Sequence, residues 1–178
     1  SIDLNRRDKM GYTAFHMACQ KGTTGVIEDL MENASTLCID LNTKSKQGHT
    51  PFHLACQRRQ SDVVKMFMVN ALSMRLNLNI VNKYGNTAFH LACQTGTSNV
   101  VKIFMEMAAA LCIDLNIKNN NGMTALDIAG QNGHTDVVKI FLEDFARSNL
   151  AKAEELRDKI EVFNVPQEIK CILQFKMI

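Results

Sequence analysis

The sequence has no tryptophan, only two prolines and two tyrosines, and no apolar run near the roughly 18–20 residues that span a bilayer. Neither the scarcity of proline nor the 21% of charged residues suggests disorder, and the missing apolar run excludes a membrane helix. Charge of one sign is also lacking. The formal net charge is +2, from 20 Lys+Arg against 18 Asp+Glu, too small to mark a nucleic-acid binder by itself. There is no Gly-x-Ser-x-Gly elbow, no Gly-Lys-Ser/Thr phosphate loop and no Gly-x-Gly-x-x-Gly turn, so no common catalytic framework is visible. The first residues, Ser1 to Asn5, lack the basic start and apolar stretch of a secretory signal. The six cysteines (Cys19, Cys38, Cys56, Cys93, Cys112 and Cys171) form no Cys-x-x-Cys pair. Several recur at a fixed interval in apolar stretches, which reads as small buried side chains in a reducing compartment, cytoplasmic or nuclear.

What is present is a repeat. Gly11-Tyr-Thr-Ala-Phe-His16 returns at Gly48 and at Gly85, and more loosely at Gly122, each step being 37 residues. A second anchor, Ile2-Asp-Leu-Asn5, returns as Ile39–Asn42, Leu76–Asn79 and Ile113–Asn116. A third pairs Val26-Ile27 with Leu30-Met31, Val63-Val64 with Phe67-Met68, Val100-Val101 with Phe104-Met105, and Val137-Val138 with Phe141-Leu142. Three anchors in one register define a repeat array.

Each unit reads as turn, short helix, loop and longer helix. The glycine before each threonine suits a tight turn with positive φ. Thr13, Thr50, Thr87 and Thr124 suit helix N-caps, and Pro51 suits the first helical position. Phe15-x-x-Ala18-Cys19 and its copies place apolar residues on one helical face. Lys21-Gly22 and Thr95-Gly96 end that helix. The Val-Val-x-x-Phe-Met pattern then gives a second apolar stripe.

Gly-x-Thr-Ala/Pro-Phe-His-x-Ala-Cys, followed by Val-Val-x-x-Phe-Met and Asp-Leu-Asn, resembles the ankyrin-repeat family over roughly residues 1–145. The resemblance implies an all-α repeat solenoid: a stack of antiparallel helix pairs with β-hairpin or turn tips. It implies binding to other macromolecules; with no catalytic motif in view, no enzyme activity and no cofactor are expected. It also implies possible hydroxylation of the Asp-Leu-Asn asparagines, although the upstream leucine of that pattern is displaced here.

The sequence departs from the family in three ways. Its period exceeds the usual ~33 residues, and the excess falls after the second helix, in Glu32–Cys38, Val69–Arg75 and Glu106–Cys112. These stretches are rich in Ala, Leu and Met. Four residues approximate the ~3.6 of one turn, and Leu30-Ala34-Leu37, Phe67-Ala71-Met74 and Phe104-Ala108-Leu111 continue the stripe, so lengthened outer helices are expected. In the fourth unit Asp127 replaces the motif histidine and Gly130 the motif cysteine, as at solenoid ends. The opening Ile2–Asn5 matches the tail of a unit, as if cut from a longer array. The expected division is therefore 1–5 tail of a preceding repeat, then repeats at 6–42, 43–79 and 80–116. A degenerate repeat at 117–148 follows, then a C-terminal helical cap or decayed fifth repeat at 149–178.

His16-x-x-Cys19, His53-x-x-Cys56 and His90-x-x-Cys93 each resemble half a zinc site. The same residues suit a helix start and a small core slot, and no metal is expected. His49, at a tip, and His134, at a turn, are expected to be solvated. Asn33-Ala-Ser35 is a glycosylation sequon, expected within a helix.

In ankyrin-like proteins the tips and inner-helix faces form a concave groove. Here the tips offer Arg7, Lys9, Met10 and Tyr12, then Lys46, Gln47 and His49, then Lys83, Tyr84 and Asn86, then Asn120, Asn121 and Met123. The inner-helix ends offer Gln20 and Lys21, Gln57 and Arg58, Gln94 and Thr95, and Gln131 and Asn132. These positions vary while the framework repeats, as partner-specific binding requires. Arg6, Arg7, Lys9, Lys21, Lys44, Lys46, Arg58, Arg59 and Lys83 cluster on this side of the first repeats, whereas acids concentrate on the outer helices. The expected function is a protein-interaction scaffold whose basic groove attracts an acidic partner segment. Nucleic-acid or polyanion binding is the alternative, with steep salt dependence. A structural spacer in a larger repeat protein is a third reading. No membrane association is expected, and the sequence leaves the oligomeric state open.

Overall fold

The structure is a computed structural model and describes residues 3–148. The described residues form eight helices and no strand. The inner helices are α1 (Ala14–Lys21), α3 (Pro51–Gln57), α5 (Ala88–Gln94) and α7 (Ala125–Gln131). The outer helices are α2 (Thr24–Glu32), α4 (Ser61–Asn70), α6 (Ser98–Met107) and α8 (Thr135–Ser148). Within each layer a helix packs on its counterpart in the next repeat. The segment 149–178, expected to form a cap, lies outside the described residues.

The inner helices start as the motif predicts. Each of Thr13, Thr50, Thr87 and Thr124 accepts at its side chain from the backbone N–H three residues on, and the side chain at that third position accepts from the threonine N–H. This is a reciprocal capping box, in which histidine takes the place of the usual Glu in the first three repeats. At the other end Gly22 and Gly96 take left-handed φ of 74° and 68°. Arg59, 37 residues after Gly22, takes φ 62° without being glycine.

Each tip is a tight turn. Asp8 N–H donates to Tyr12 O and Gly11 N–H to Asp8 O, and the same pair recurs from Ser45, Asn82 and Asn119. One backbone bond joins each tip to the next: Lys46 N to Met10 O, Lys83 N to Gln47 O, and Asn120 N to Tyr84 O. The tips are thus linked turns, the second of the two forms expected for them, with no strand among the described residues. Gly48 shows why glycine is needed here. Its φ is 79°, and a Cβ would lie 2.9 Å from the backbone of Asn82 and Lys83.

The core is a zigzag of rings along the stack. Phe15 meets Phe67, Phe67 meets Phe52, Phe52 meets Phe104, Phe104 meets Phe89, and Phe89 meets Phe141, with centroids 4.8–5.8 Å apart. Inner and outer helices alternate along this line, so each ring joins its own repeat to a neighbour. Cys19, Cys56 and Cys93 fill small core slots at 0% exposure. Burial pushes the Cys56 thiol far up, and those of Cys19 and Cys93 likewise.

The inserted residues do wind one more turn, but outside the regular helix. After α2, Leu37 N donates to Asn33 O; Met74 N to Asn70 O and Leu111 N to Met107 O repeat the bond. Cys38, Arg75 and Cys112 then take φ of 51°. The six-to-one bonds Ile39 N to Ala34 O, Leu76 N to Ala71 O and Ile113 N to Ala108 O close the turn, in the manner of a Schellman motif. Ala71 and Ala108 are buried, whereas Leu37 is 46% exposed, so the stripe fails at the end of the first repeat. Asn33 caps α2 and donates from its side chain to Asp29 O, so the sequon stands at the helix end and not within it.

Candidate partner-binding face

The motif residues are occupied in joining repeats. At His16, Nδ1 accepts from Thr13 N–H at 3.1 Å, which puts the ring proton on Nε2, and Nε2 donates to His49 O at 3.0 Å. His53 repeats this toward Asn86 O and His90 toward Met123 O, at 3.1 and 3.2 Å. Burial is the main cause that lowers all three pKa values, that of His53 to about 4. These rings are neutral joints between repeats, and among the described residues no three His, Cys, Asp or Glu side chains gather to hold a metal. In the fourth repeat Asp127 keeps the cap by accepting from Thr124 N–H and Oγ1.

The asparagines of Asp-Leu-Asn are joints as well. Asn5, Asn42 and Asn79 donate from Nδ2 to the carbonyls of Cys38, Arg75 and Cys112, the residues with left-handed φ. Asn42 Oδ1 and Asn79 Oδ1 accept from Asn77 N and Asp114 N.

Part of the basic cluster is also structural. Arg7 donates to Lys44 O, Lys44 to Val81 O, and Arg59 to Thr95 O at 2.7 Å. Lys9, Lys21, Lys46, Arg58 and Lys83 stand exposed. His134, expected to be solvated, sends Nε2 to Gln94 O at 2.9 Å. His49, expected to be solvated, is only 9% exposed and meets His53 edge-on at 5.7 Å.

Repeats two to four form an open recess of about 540 Å³ between tips and inner helices. Of the residues expected on the binding side, His49, Gln57, Tyr84, Asn86, Gln94, Asn120 and Asn121 line it. Asn82, Leu91 and Asn119 complete it and were not foreseen. The signal for the two asparagines was available: the residue four before each tip's last position is always Asp, Ser or Asn. Asp8, Asn82 and Asn119 accept two tip N–H groups on Oδ1, and Ser45 Oγ accepts from His49 N, as turn-forming side chains do.

The remaining expected residues stand outside the recess. Met10, at 49% exposure, caps the first tip, and Tyr12 is half-buried on the His16 ring at 5.5 Å. Gln20 O accepts from Gln60 Nε2, Gln47 O from Lys83 N, and Met123 O from His90 Nε2. Thr95 Oγ1 donates to Ala92 O; Gln131, the last residue of α7, and Asn132, its C-cap, are exposed.

One step in this face is unfinished. Asn119 Nδ2 donates to Asn86 Oδ1 at 2.9 Å. The same two positions a repeat earlier hold Asn82 and His49. There no bond joins the two side chains, and Asn82 Nδ2 and His49 Nδ1 are both buried without a partner. His49→Asn is therefore expected to restore the later pair and to stabilise the chain by about 1 kcal/mol, a Tm rise of about 2–4 °C. Thermal unfolding followed by circular dichroism checks this, and an unchanged or lower Tm contradicts it.

The geometry thus shows repeats that each use motif residues in holding the next, while seven of the variable residues line one recess. A model described as Ankyrin repeats (3 copies) matches residues 1–75 and 67–152. A comparison with curated proteins finds no match. With the match running through all four repeats and each repeat built on the same capped helix pair, the chain belongs to the ankyrin-repeat family.

Proposed function

We propose that this chain is a protein-interaction scaffold that binds a segment of a partner along the face formed by its tips and inner helices. Ankyrin repeats generally mediate protein–protein interactions, and they are typically non-enzymatic. The observation that carries the reading is the division of labour: Thr, His and Asp-Leu-Asn close the joints, while the non-motif residues of three consecutive repeats line one recess. The exposed Lys9, Lys46, Arg58 and Lys83 on the same side support an acidic stretch in the partner. The buried, repeat-bound thiols support a reducing compartment, cytoplasmic or nuclear.

A pull-down with this chain as bait, at low and moderate salt, beside Arg58→Glu, tests the proposal. Arg59 stays untouched because its guanidinium holds the Thr95 carbonyl. The expected result is a discrete protein band that survives moderate salt and binds the variant about tenfold more weakly. Recovery of nucleic acid that washes off with salt favours the polyanion reading. An empty lane favours a structural spacer.

A further inference from the structure

The recess differs from the basic face around it: none of its lining residues carries a formal charge when His49 is neutral, and burial lowers the His49 pKa. It is lined instead by carboxamides, at Gln57, Asn82, Asn86, Gln94 and the run Asn119 to Asn121. Among the described residues the side-chain amides of Gln57, Gln94 and Asn121 join no hydrogen bond within the protein, while Asn82 Nδ2 and His49 Nδ1 are buried and unpaired. A carboxamide offers one acceptor oxygen and two donor hydrogens in one plane. That is the complement of a peptide unit, whose N–H and C=O must both be paired on leaving water. An ionised group entering the recess would lose its hydration and meet no counter-charge. Charge becomes available only at the rim, where Lys46, Arg58 and Lys83 are sequence neighbours of lining or tip residues.

We infer that the occupant of this recess is the main chain of an extended, locally uncharged peptide segment, hydrogen-bonded by the carboxamides of repeats two to four, with acidic residues only in its flanks. This rests on the reading of the face as a partner-binding surface and adds the chemistry of what it reads. Extended chain presents its N–H and C=O groups alternately at ~3.3 Å per residue, so a row of carboxamides from successive repeats binds it with little demand on side chains. Specificity then comes from the flanking acids and from the contact with Tyr84, which is 58% exposed at the recess.

The probe is a random dodecapeptide library displayed on phage, panned against the full chain. Selected peptides are then synthesised with single N-methyl amides. Affinities are measured for the parent chain, for Gln57→Ala/Gln94→Ala, and for Arg58→Glu. Unchanged circular dichroism confirms that the variants fold. The inference expects peptides with an uncharged centre that lose about tenfold or more in affinity on central N-methylation and again on the double glutamine variant. Peptides that depend on Arg58 but tolerate both N-methylation and the glutamine changes overturn the carboxamide reading and leave the binding face standing. A panning that selects nothing, or peptides indifferent to N-methylation and to both variants, overturns both.

Discussion

Phe104→Ala is expected to destabilise the protein by about 3–5 kcal/mol, the largest effect of any single substitution proposed. Phe104 is 0% exposed, stands 5.7 Å from the Phe52 ring and 4.8 Å from the Phe89 ring, and so joins two repeats at once. Truncation removes buried apolar area, leaves a cavity in a close-packed layer, and severs two tilted ring pairs worth about 0.5–1.5 kcal/mol each. Leu30→Ala is the control. Leu30 sits at the same position of the first outer helix, is only partly buried, and contributes no ring to the zigzag. Urea unfolding followed by circular dichroism reads the difference. A Phe104→Ala loss no larger than that of Leu30→Ala would remove the zigzag from the account of how the stack is held.

Acid is expected to loosen the array between pH 6.5 and pH 4, before most carboxylates titrate. His53 is 1% exposed and its folded pKa is about 4, against 6.5 for the free side chain. A depressed histidine pKa means that the unfolded chain binds the extra proton. Stability is thus complete above pH 6.5 and declines as pH falls toward 4. His53 alone accounts for about 2 kcal/mol by pH 5, and His16, His49 and His90, lowered in the same direction, add to it. The geometry explains the direction. Nδ1 accepts from the Thr50 N–H, so a second ring proton breaks the cap as well as charging a buried ring. Urea midpoints at pH 7, 6 and 5 measure the slope. His53→Gln, which keeps an acceptor at the third helical position, is expected to flatten part of it. A stability independent of pH over that window would contradict the assignment of neutral joints.

The parts legible in the sequence were those governed by local chemistry. A threonine before a helical stripe caps it, a glycine before that threonine turns the chain, and a Val-Val-x-x-Phe-Met stripe buries one face. Each needed only its near neighbours, and each recurs every 37 residues. The ends of the outer helices were not legible. Glu32–Cys38 has helical composition, yet the turn closes with φ 51° at Cys38, whose carbonyl is held by Asn5 from 33 residues upstream. A bond between repeats overrides local propensity there, and no glycine marks the place. The fate of the cations was hidden for the same reason. Arg7, Lys44 and Arg59 look alike as surface charges, but each spends its donors on a carbonyl 36 or 37 residues ahead. His49 was misread because its exposure depends on the ring of His53 packed against it. Within the recess, the inner-helix ends and tip residues were foreseen, and the turn-forming Asn82 and Asn119 were not.

The bridges share a reach of one repeat: histidine to carbonyl at 33 residues, backbone-capturing asparagine at 33 and 35, cations at 36 and 37, His134 at 40. A repeat held in this way is informed about its two neighbours and about nothing beyond them. Adding or removing a whole 37-residue unit would therefore change how much surface is offered without asking any surviving joint to change. Length of the binding face and composition of the binding face are, in such a molecule, separately adjustable quantities.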